Sequence, residues 1–161
     1  MPYPFALCAA LLLALATHAD ARELQGVVTH VTDGDTIWVR QAGAAEAEQV
    51  RLQGLDAPEI CQAFGPQARA ALAAHVLHRP VRVTVKAQDV YQRLVGTVNV
   101  QGEDLGAWLV AGGHAWTARY QKRPGPYADE EAAARAARRG LWQDDAPLEP
   151  RAFRKRHGSC Y

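Results

Sequence analysis

The segment 31–59 constrains the fold of this chain more than any other. It reads V-T-D-G-D-T-I-W-V, then a short loop rich in alanine and glutamate, then V-R-L-Q-G-L-D-A-P-E. An Asp-Gly pair between two apolar stretches predicts a hairpin turn. Gln49–Leu55 alternates apolar with polar residues, as a strand with one buried face does. The segment therefore predicts a strand-turn-strand unit that gathers four acids and one arginine, namely Asp33, Asp35, Asp56, Glu59 and Arg51.

Four clustered carboxylates repel one another unless a cation or a proton lies between them. The neighbouring Arg51 indicates that an anion also binds, because a guanidinium can donate two hydrogen bonds to a phosphate. Oxygen ligands for a hard cation beside an arginine are the parts of a phosphodiester-cleaving site. Each motif alone is ordinary, since Asp-Gly often marks a plain turn. Their combination is what favours a functional site.

Length and charge narrow the class of protein. A chain of 161 residues favours one domain with a hydrophobic core. Residues 1–21 contain an apolar run too short to cross a bilayer and end in Ala19-Asp20-Ala21, which predicts a signal peptide cleaved after Ala21 or Ala19. A buried N-terminal helix is the alternative. Without this segment 18 basic residues face 16 acidic ones, the 17 of the whole chain minus Asp20, so the protein is not strongly basic.

Two cysteines remain after such processing, Cys61 and Cys160. An even number in an exported chain favours a disulfide, with two free buried thiols as the alternative. The bond would close a loop of roughly 100 residues and tie the C-terminal segment to the residues just after Glu59. That segment, 146–161, could attract nucleic acid or be a solvated terminus; its clustered basic residues are Arg151, Arg154, Lys155 and Arg156.

The rest of the chain predicts an α+β fold. Five short strands are expected at 26–31, 36–40, 49–55, 81–86 and 94–100, a number that suits a small closed barrel. Start and stop signals predict three helices: Gly65 to the residue before Pro80, Asp104 to Ala111, and Tyr127 to Arg139. Residues 22–145 then form one domain, followed by the basic tail.

With these motifs the chain resembles the staphylococcal nuclease family. The resemblance extends from about Gln25 to Trp142. The motifs that carry it follow one another in the same order as in the family: D-G-D-T, R-L-Q-G-L-D-A-P-E, G-P-Q-A, D-V-Y-Q-R, L-V-A-G-G-H-A and R-R-G-L-W. It implies a five-stranded OB-type β-barrel with three helices, and a Ca²⁺-dependent enzyme that cleaves DNA and RNA and leaves 3′-phosphate ends. With the predicted signal peptide, this describes a monomer exported to the periplasm or the medium, with no stable membrane association after cleavage.

The resemblance also implies which groups would bind Ca²⁺. Asp35 and Asp56 would be direct ligands, and the main-chain carbonyl of Ala57 would be a third. The family often has threonine at that last position, but a carbonyl contact tolerates alanine. Asp33 fits better as a residue that forms the turn. These oxygen donors suit Ca²⁺, which prefers hard ligands in a flexible shell.

The same resemblance assigns the catalytic and substrate-binding residues. Glu59 would position or deprotonate the attacking water, and Arg51 and Arg93 would hold the phosphate. Tyr91 and Tyr120 would contact a base or a sugar, since stacking on an aromatic ring tolerates any base. Core packing is the alternative for Tyr91.

A few positions depart from the family pattern. Gln92 replaces a glycine before the phosphate arginine, Val90 stands where a lysine often precedes the tyrosine, and Arg119 lies nearest the position of a stacking tyrosine. These changes bear on affinity and rate rather than on the type of reaction. The rival hypothesis is a non-catalytic OB module that binds single-stranded nucleic acid. Such a module has no reason to keep both the acids and the arginines.

Overall fold

The computed structural model describes residues 22–121 and 123–160; the predicted signal peptide, 1–21, lies outside the described residues. The described part contains eight β-strands: β1 Glu23–Val31, β2 Thr36–Arg40, β3 Glu48–Leu52, β4 Leu55–Asp56, β5 Pro80–Gln88, β6 Leu94–Val100, β7 Glu103–Asp104 and β8 Trp116–Thr117. Its helices are α1 Gly65–Val76, α2 Leu105–Ala111, α3 Ala128–Ala136, a 3₁₀ turn Gly140–Gln143, and α4 Pro150–His157. No helix in these residues is long and apolar enough to cross a membrane.

Five of the strands close into a barrel. Strand β1 pairs antiparallel with β2 and β5, β2 with β3, and β5 with β6. A parallel pairing between β3 and β6 closes the ring, and its register sets Arg51 opposite Val95. Closure therefore brings the arginine of the first motif beside the segment that follows Arg93. The predicted α+β class and five-stranded OB-type barrel are confirmed.

Two details differ from the expectation. The predicted strand at 49–55 is divided into β3 and β4 by a turn at Gly54, whose φ of 83° lies in the left-handed region that glycine adopts without strain. The described residues contain four α-helices instead of the expected three, because 150–157 forms α4 with Pro150 in its first turn. The sequence pattern predicts only a basic tail there, since its apolar residues are too few to show a helical period.

Apolar side chains from the inward strand faces fill the barrel. Helix α1 packs against β1, and α2 packs against β6. Complete burial of one such side chain stabilises the fold by about 1.5–3 kcal/mol. The largest fully buried ones are Leu24, Ile37, Leu52, Leu72, Leu105 and Leu109. A second cluster joins α3 and the 3₁₀ turn to β8 through Trp116, Ala134, Leu141 and Trp142.

A buried carboxylate attaches α3 to the barrel. Glu131 is 2% exposed and accepts hydrogen bonds from the main-chain N–H of Thr117 at 2.8 Å, Nη2 of Arg119 at 2.7 Å and Nε of Arg135 at 2.9 Å. Loss of its partners would leave an uncompensated buried charge, which is strongly destabilising. Arg119, the departure from the family tyrosine, therefore has a structural partner in this chain.

A disulfide between Cys61 and Cys160 ties the C-terminal segment to the loop before α1. The main-chain N–H of Cys61 also donates to Sγ of Cys160 at 3.2 Å. Nearby, Nε2 of Gln62 donates to the carbonyl of Leu148. Of the two alternatives for these cysteines, the structure has the disulfide. Helix α4 is consequently attached to the barrel at both of its ends.

Loss of this disulfide should lower the free energy of unfolding by about 3 kcal/mol, because the unfolded chain regains the freedom of a long loop. Urea unfolding of the mature protein, with and without reductant, measures the change. The double variant Cys61→Ser, Cys160→Ser should reproduce the reduced value. Complete labelling of both cysteines by a thiol reagent in the absence of reductant would contradict the bond.

Candidate active site

The turn between β1 and β2 presents the first acid of the site. Oδ1 of Asp33 accepts a hydrogen bond from the main-chain N–H of Asp35 at 3.0 Å, so Asp33 forms the turn, as expected. The turn also lies tightly on the exit of β4, because a Cβ on Gly34 would lie 2.7 Å from Cβ of Ala57. A residue larger than glycine would separate the two motifs that carry the acids.

Asp35 is buried, with an exposure of 3%. Its Oδ1 accepts from the hydroxyl of Thr36 and from Nη1 of Arg51, both at 3.0 Å, and its Oδ2 accepts from the main-chain N–H of Ala57 at 3.2 Å. Burial, together with the neighbouring carboxylates of Asp33 and Asp56, raises the pKa of Asp35 to about 7, although Arg51 and the Ala57 N–H act to lower it. Its ionised form therefore depends on the positive charge and the hydrogen-bond donors around it.

Arg51 joins the two predicted metal-binding acids. Its Nη1 contacts Asp35 at 3.0 Å and its Nη2 contacts Oδ1 of Asp56 at 3.1 Å. Burial works against the charge on this arginine, but the nearby acids raise its pKa, Asp35 most strongly. One guanidinium thus contacts both carboxylates, although they belong to different turns of the chain.

A second guanidinium, that of Arg154 in α4, lies on the other side of Asp56. Nη1 of Arg154 donates to Oδ1 of Asp56 at 3.2 Å and to Oε1 of Glu59 at 2.6 Å, and Nη2 donates to Oδ2 of Asp56 at 2.9 Å. The hydrogen bond with Asp56, and after it the bond with Glu59, raises the pKa of Arg154, which burial alone would lower. Sequence reasoning named this residue only as part of the basic segment and did not place it in the site. The signal for its position was Cys160, whose bond to Cys61 brings that segment back towards Glu59.

The loop between β5 and β6 orients the remaining predicted arginine. Asp89 accepts from the main-chain N–H groups of Tyr91 and Arg93 at 2.9 and 3.0 Å, and its Oδ2 accepts from Nε of Arg93 at 2.8 Å. Desolvation opposes the ionised form, but these hydrogen bonds, chiefly those from Arg93, lower the pKa of Asp89. Gln92 has a φ of 65°, in the left-handed region that glycine adopts without strain.

The predicted catalytic residues line one open cleft of about 640 Å³. It contains the acids Asp33, Asp35 and Glu59, the main chain at Ala57, Tyr91, and three arginines: Arg51, Arg93 and Arg154. Asp56 lines a neighbouring cleft instead, which shares Arg51 and Arg154 with the first. Tyr91 is exposed, so the core-packing alternative for it is wrong. Tyr120 is 74% exposed and lies outside both clefts, so its contact with substrate stays a prediction.

The donor set fits a hard divalent cation. Asp35 and Asp56 supply carboxylate oxygens that one guanidinium contacts together, and Asp35 is buried, so its ionised form is favoured by a nearby cation. Among the described residues, no group of three or more His, Cys, Asp or Glu side chains is arranged as a metal site. A cation here would therefore depend on two carboxylates together with main-chain carbonyls and water, as Ca²⁺ sites permit.

Gly65 should be essential to the position of Glu59. A Cβ at Gly65 would lie within 1.9 Å of the carbonyl oxygen of Glu59, so Gly65→Ala must displace that loop. We expect phosphodiester cleavage to fall by about 100-fold, the usual cost of a misplacement near 1 Å. Gly43→Ala is the control, because nothing lies within 4 Å of that glycine. Wild-type turnover in Gly65→Ala would contradict the argument.

Asp89 should act as a positioning residue for Arg93. Asp89→Ala removes the three hydrogen bonds that the Asp89 side chain accepts, and we expect cleavage to fall by about tenfold or more as the phosphate contact is misplaced. Asp89→Asn should retain more activity, because the amide oxygen can still accept from the two main-chain N–H groups. The control Asp144→Ala removes a comparable bond, to Ala146 N–H, outside the cleft. Equal rates in the two alanine variants would exclude the positioning role.

Comparison with known proteins shows the family of this chain. The family model described as staphylococcal nuclease homologue matches residues 49–144. "Protein ParB" of Escherichia coli is 40% identical over 83% of this chain and 80% of its own length. "Micrococcal nuclease" of Shigella flexneri is 36% identical over 93% of this chain and 91% of its own length. An "uncharacterized endonuclease" of Haemophilus influenzae is 34% identical over 80% and 71%. The chain is a nuclease, and it belongs to the staphylococcal nuclease family.

Proposed function

We propose that this nuclease is an exported, Ca²⁺-dependent phosphodiesterase that hydrolyses DNA and RNA with little sequence preference and leaves 3′-phosphate ends. The observation that carries the proposal is the shared cleft, in which Glu59 lies with Arg51 and Arg93. Glu59 can accept a proton, and the two arginines can bind an anion. A phosphodiester held between them meets both requirements of hydrolysis.

Glu59 is the partner of the attacking water in this proposal. The water oxygen forms a bond to phosphorus, the bond from phosphorus to O5′ breaks, and the water's proton passes to Glu59. The released O5′ takes a proton from solvent. A positioned general base of this kind contributes roughly 10²–10⁴-fold to a rate.

Arg51 and Arg93 bind the phosphate and stabilise the charge that grows on its oxygens. Both already hold carboxylates, Asp35 and Asp56 for Arg51 and Asp89 for Arg93, and these partners fix the direction of each guanidinium. Donors that are oriented before the substrate arrives stabilise the transition state without further reorganisation. Their planar shape suits two hydrogen bonds to one phosphate.

Asp35, Asp56 and the main-chain carbonyl of Ala57 would hold the cation. When bound, Ca²⁺ supplies Lewis-acid polarisation of the phosphate and assists ionisation of water. The protein's own part is to keep the two carboxylates close together and to favour the ionised form of the buried Asp35. The hydrogen bond from the Ala57 N–H to Asp35 and the contacts of Arg51 serve that purpose.

Weak sequence preference is supported by the chemistry of the cleft lining. Arginine contacts with phosphates carry no base information. Tyr91 is 76% exposed and stands 5.3 Å from Arg93, measured from its ring centroid to the guanidinium carbon. An exposed ring beside a phosphate site can stack on any base.

Export is supported by two features. The apolar segment 1–21 has the character of a signal peptide, and a disulfide persists in oxidising compartments. We propose a monomer in the periplasm or the medium, without stable membrane association after signal cleavage.

Replacement of Glu59 tests the catalytic assignment. With plasmid or single-stranded DNA and Ca²⁺, we expect Glu59→Gln to cleave about 10³-fold more slowly than wild type, because the water loses its base. Arg93→Ala should lose about 10²-fold. Chelator should abolish cleavage, and restoration by Ca²⁺ should return it.

Matched controls separate these effects from general damage. Glu46→Gln and Arg82→Ala make the same replacements at exposed positions away from the cleft and should retain wild-type rates. Cleavage that persists in chelator or in Glu59→Gln would refute the mechanism. Binding of single strands without any cleavage would instead favour the non-catalytic OB module.

A further inference from the structure

We propose that Arg154 is a third arginine that contacts the substrate phosphate, and that the disulfide between Cys61 and Cys160 holds in place the helix that carries it. The proposal rests on the proposed function, since it assigns a further substrate contact at the same site. It makes α4 one wall of the cleft through which a nucleic-acid strand passes.

The position of Arg154 is built by several contacts. Pro150, at the start of α4, is buried, and Glu149 lies 3.8 Å from Nη1 of Arg119. The disulfide holds the other end of the helix. These attachments place the Arg154 side chain, 34% exposed, between Asp56 and Glu59. The arginine is therefore held towards the site although it is remote in sequence.

The guanidinium of Arg154 has donors to spare. Its Nη1 and Nη2 donate hydrogen bonds to the two carboxylate oxygens of Asp56, and Nη1 also donates to Glu59. An arginine carries five N–H donors. Within residues 22–121 and 123–160, its Nε–H and one N–H of Nη2 donate to no protein acceptor. These two donors form the second fork of the guanidinium, which suits two oxygens of one phosphate.

Further arginines lie in the cleft beside Arg154. A second cleft of about 660 Å³ adjoins the first and shares Arg51 and Arg154 with it. Arg119 and Arg151 also line this second cleft, and Arg151 precedes Arg154 by nearly one helical turn. Arginines thus line both of the adjoining clefts, with Arg93 in the first, Arg151 in the second and Arg154 in both. A strand with one phosphate per nucleotide matches such a row of cations.

Arg154→Ala tests the phosphate contact. We expect its KM for single-stranded DNA to rise by about tenfold, the typical effect of one charge-assisted hydrogen-bonding group. Its affinity for a short single-stranded oligonucleotide in chelator, measured by fluorescence anisotropy, should fall by a similar factor. The slope of log affinity against log salt should decrease in magnitude by about 0.7. Arg154→Lys, which keeps the charge but loses the fork, should lie in between.

The control is Arg156→Ala, which removes the same charge from the same helix at a residue that lines neither cleft. We expect it to change KM by less than about twofold. Equal effects of Arg154→Ala and Arg156→Ala would overturn the proposal. So would a fall in kcat with KM and binding unchanged, which would mean that Arg154 only positions Glu59. Tighter binding by Arg154→Ala would show that the arginine obstructs the site.

The disulfide is tested in the same assays. Cys160→Ser should raise KM by about fivefold in wild type, yet have no further effect in Arg154→Ala, because both changes remove the same contact. Additive effects would overturn the role given to the disulfide. Circular dichroism at the assay temperature checks that each variant is folded. If wild type cleaves nothing, the proposed function fails, while the anisotropy comparison still decides the role of Arg154.

Discussion

The burial of Asp35 beside Arg51 is the interaction on which the rest of the site depends. A carboxylate taken out of water costs several kcal/mol unless charges and donors surround it. The register of β2 on β3 supplies the charge, because it pairs Thr36, the residue after Asp35, with Arg51. The residue after β4 supplies a hydrogen-bond donor, the main-chain N–H of Ala57. The pairing of β2 with β3, the Asp-Gly turn and the short strand β4 therefore serve one electrostatic requirement.

From that pair, acids and arginines alternate across the cleft. Asp35 pairs with Arg51, Arg51 with Asp56, Asp56 with Arg154, and Arg154 with Glu59. Each guanidinium offsets the repulsion between two carboxylates, which would otherwise push their side chains apart. The chain of contacts also keeps Glu59 within the cleft. A cation and a phosphate would enter an arrangement whose charges are already oriented, the condition for electrostatic catalysis.

Much of the barrel could be predicted, because alternating apolar residues mark strands with one buried face and depend only on local pattern. Gly54 divides one predicted strand into two. A single residue in the left-handed conformation turns the chain but leaves the alternation of apolar and polar residues in the sequence unchanged. Helix α4 was missed because its stability comes from attachment at both ends rather than from an apolar stripe. Within the site, Asp35, Glu59, Arg51 and Arg93 could be named from motifs. Arg154 could not, because 98 residues separate it from Asp56 and no short pattern contains both.

By itself, the sequence determined the class of fold, the family and the chemical kinds of group at the site, because these follow from local periodicity and from motifs of a few residues. Only the tertiary structure decided how those groups pair. Parallel closure of β3 on β6 set Arg51 beside the segment from Arg93, and the disulfide brought α4 over Glu59. Electrostatic pairing falls off within a few ångströms, so it depends on distances that sequence separation does not reveal.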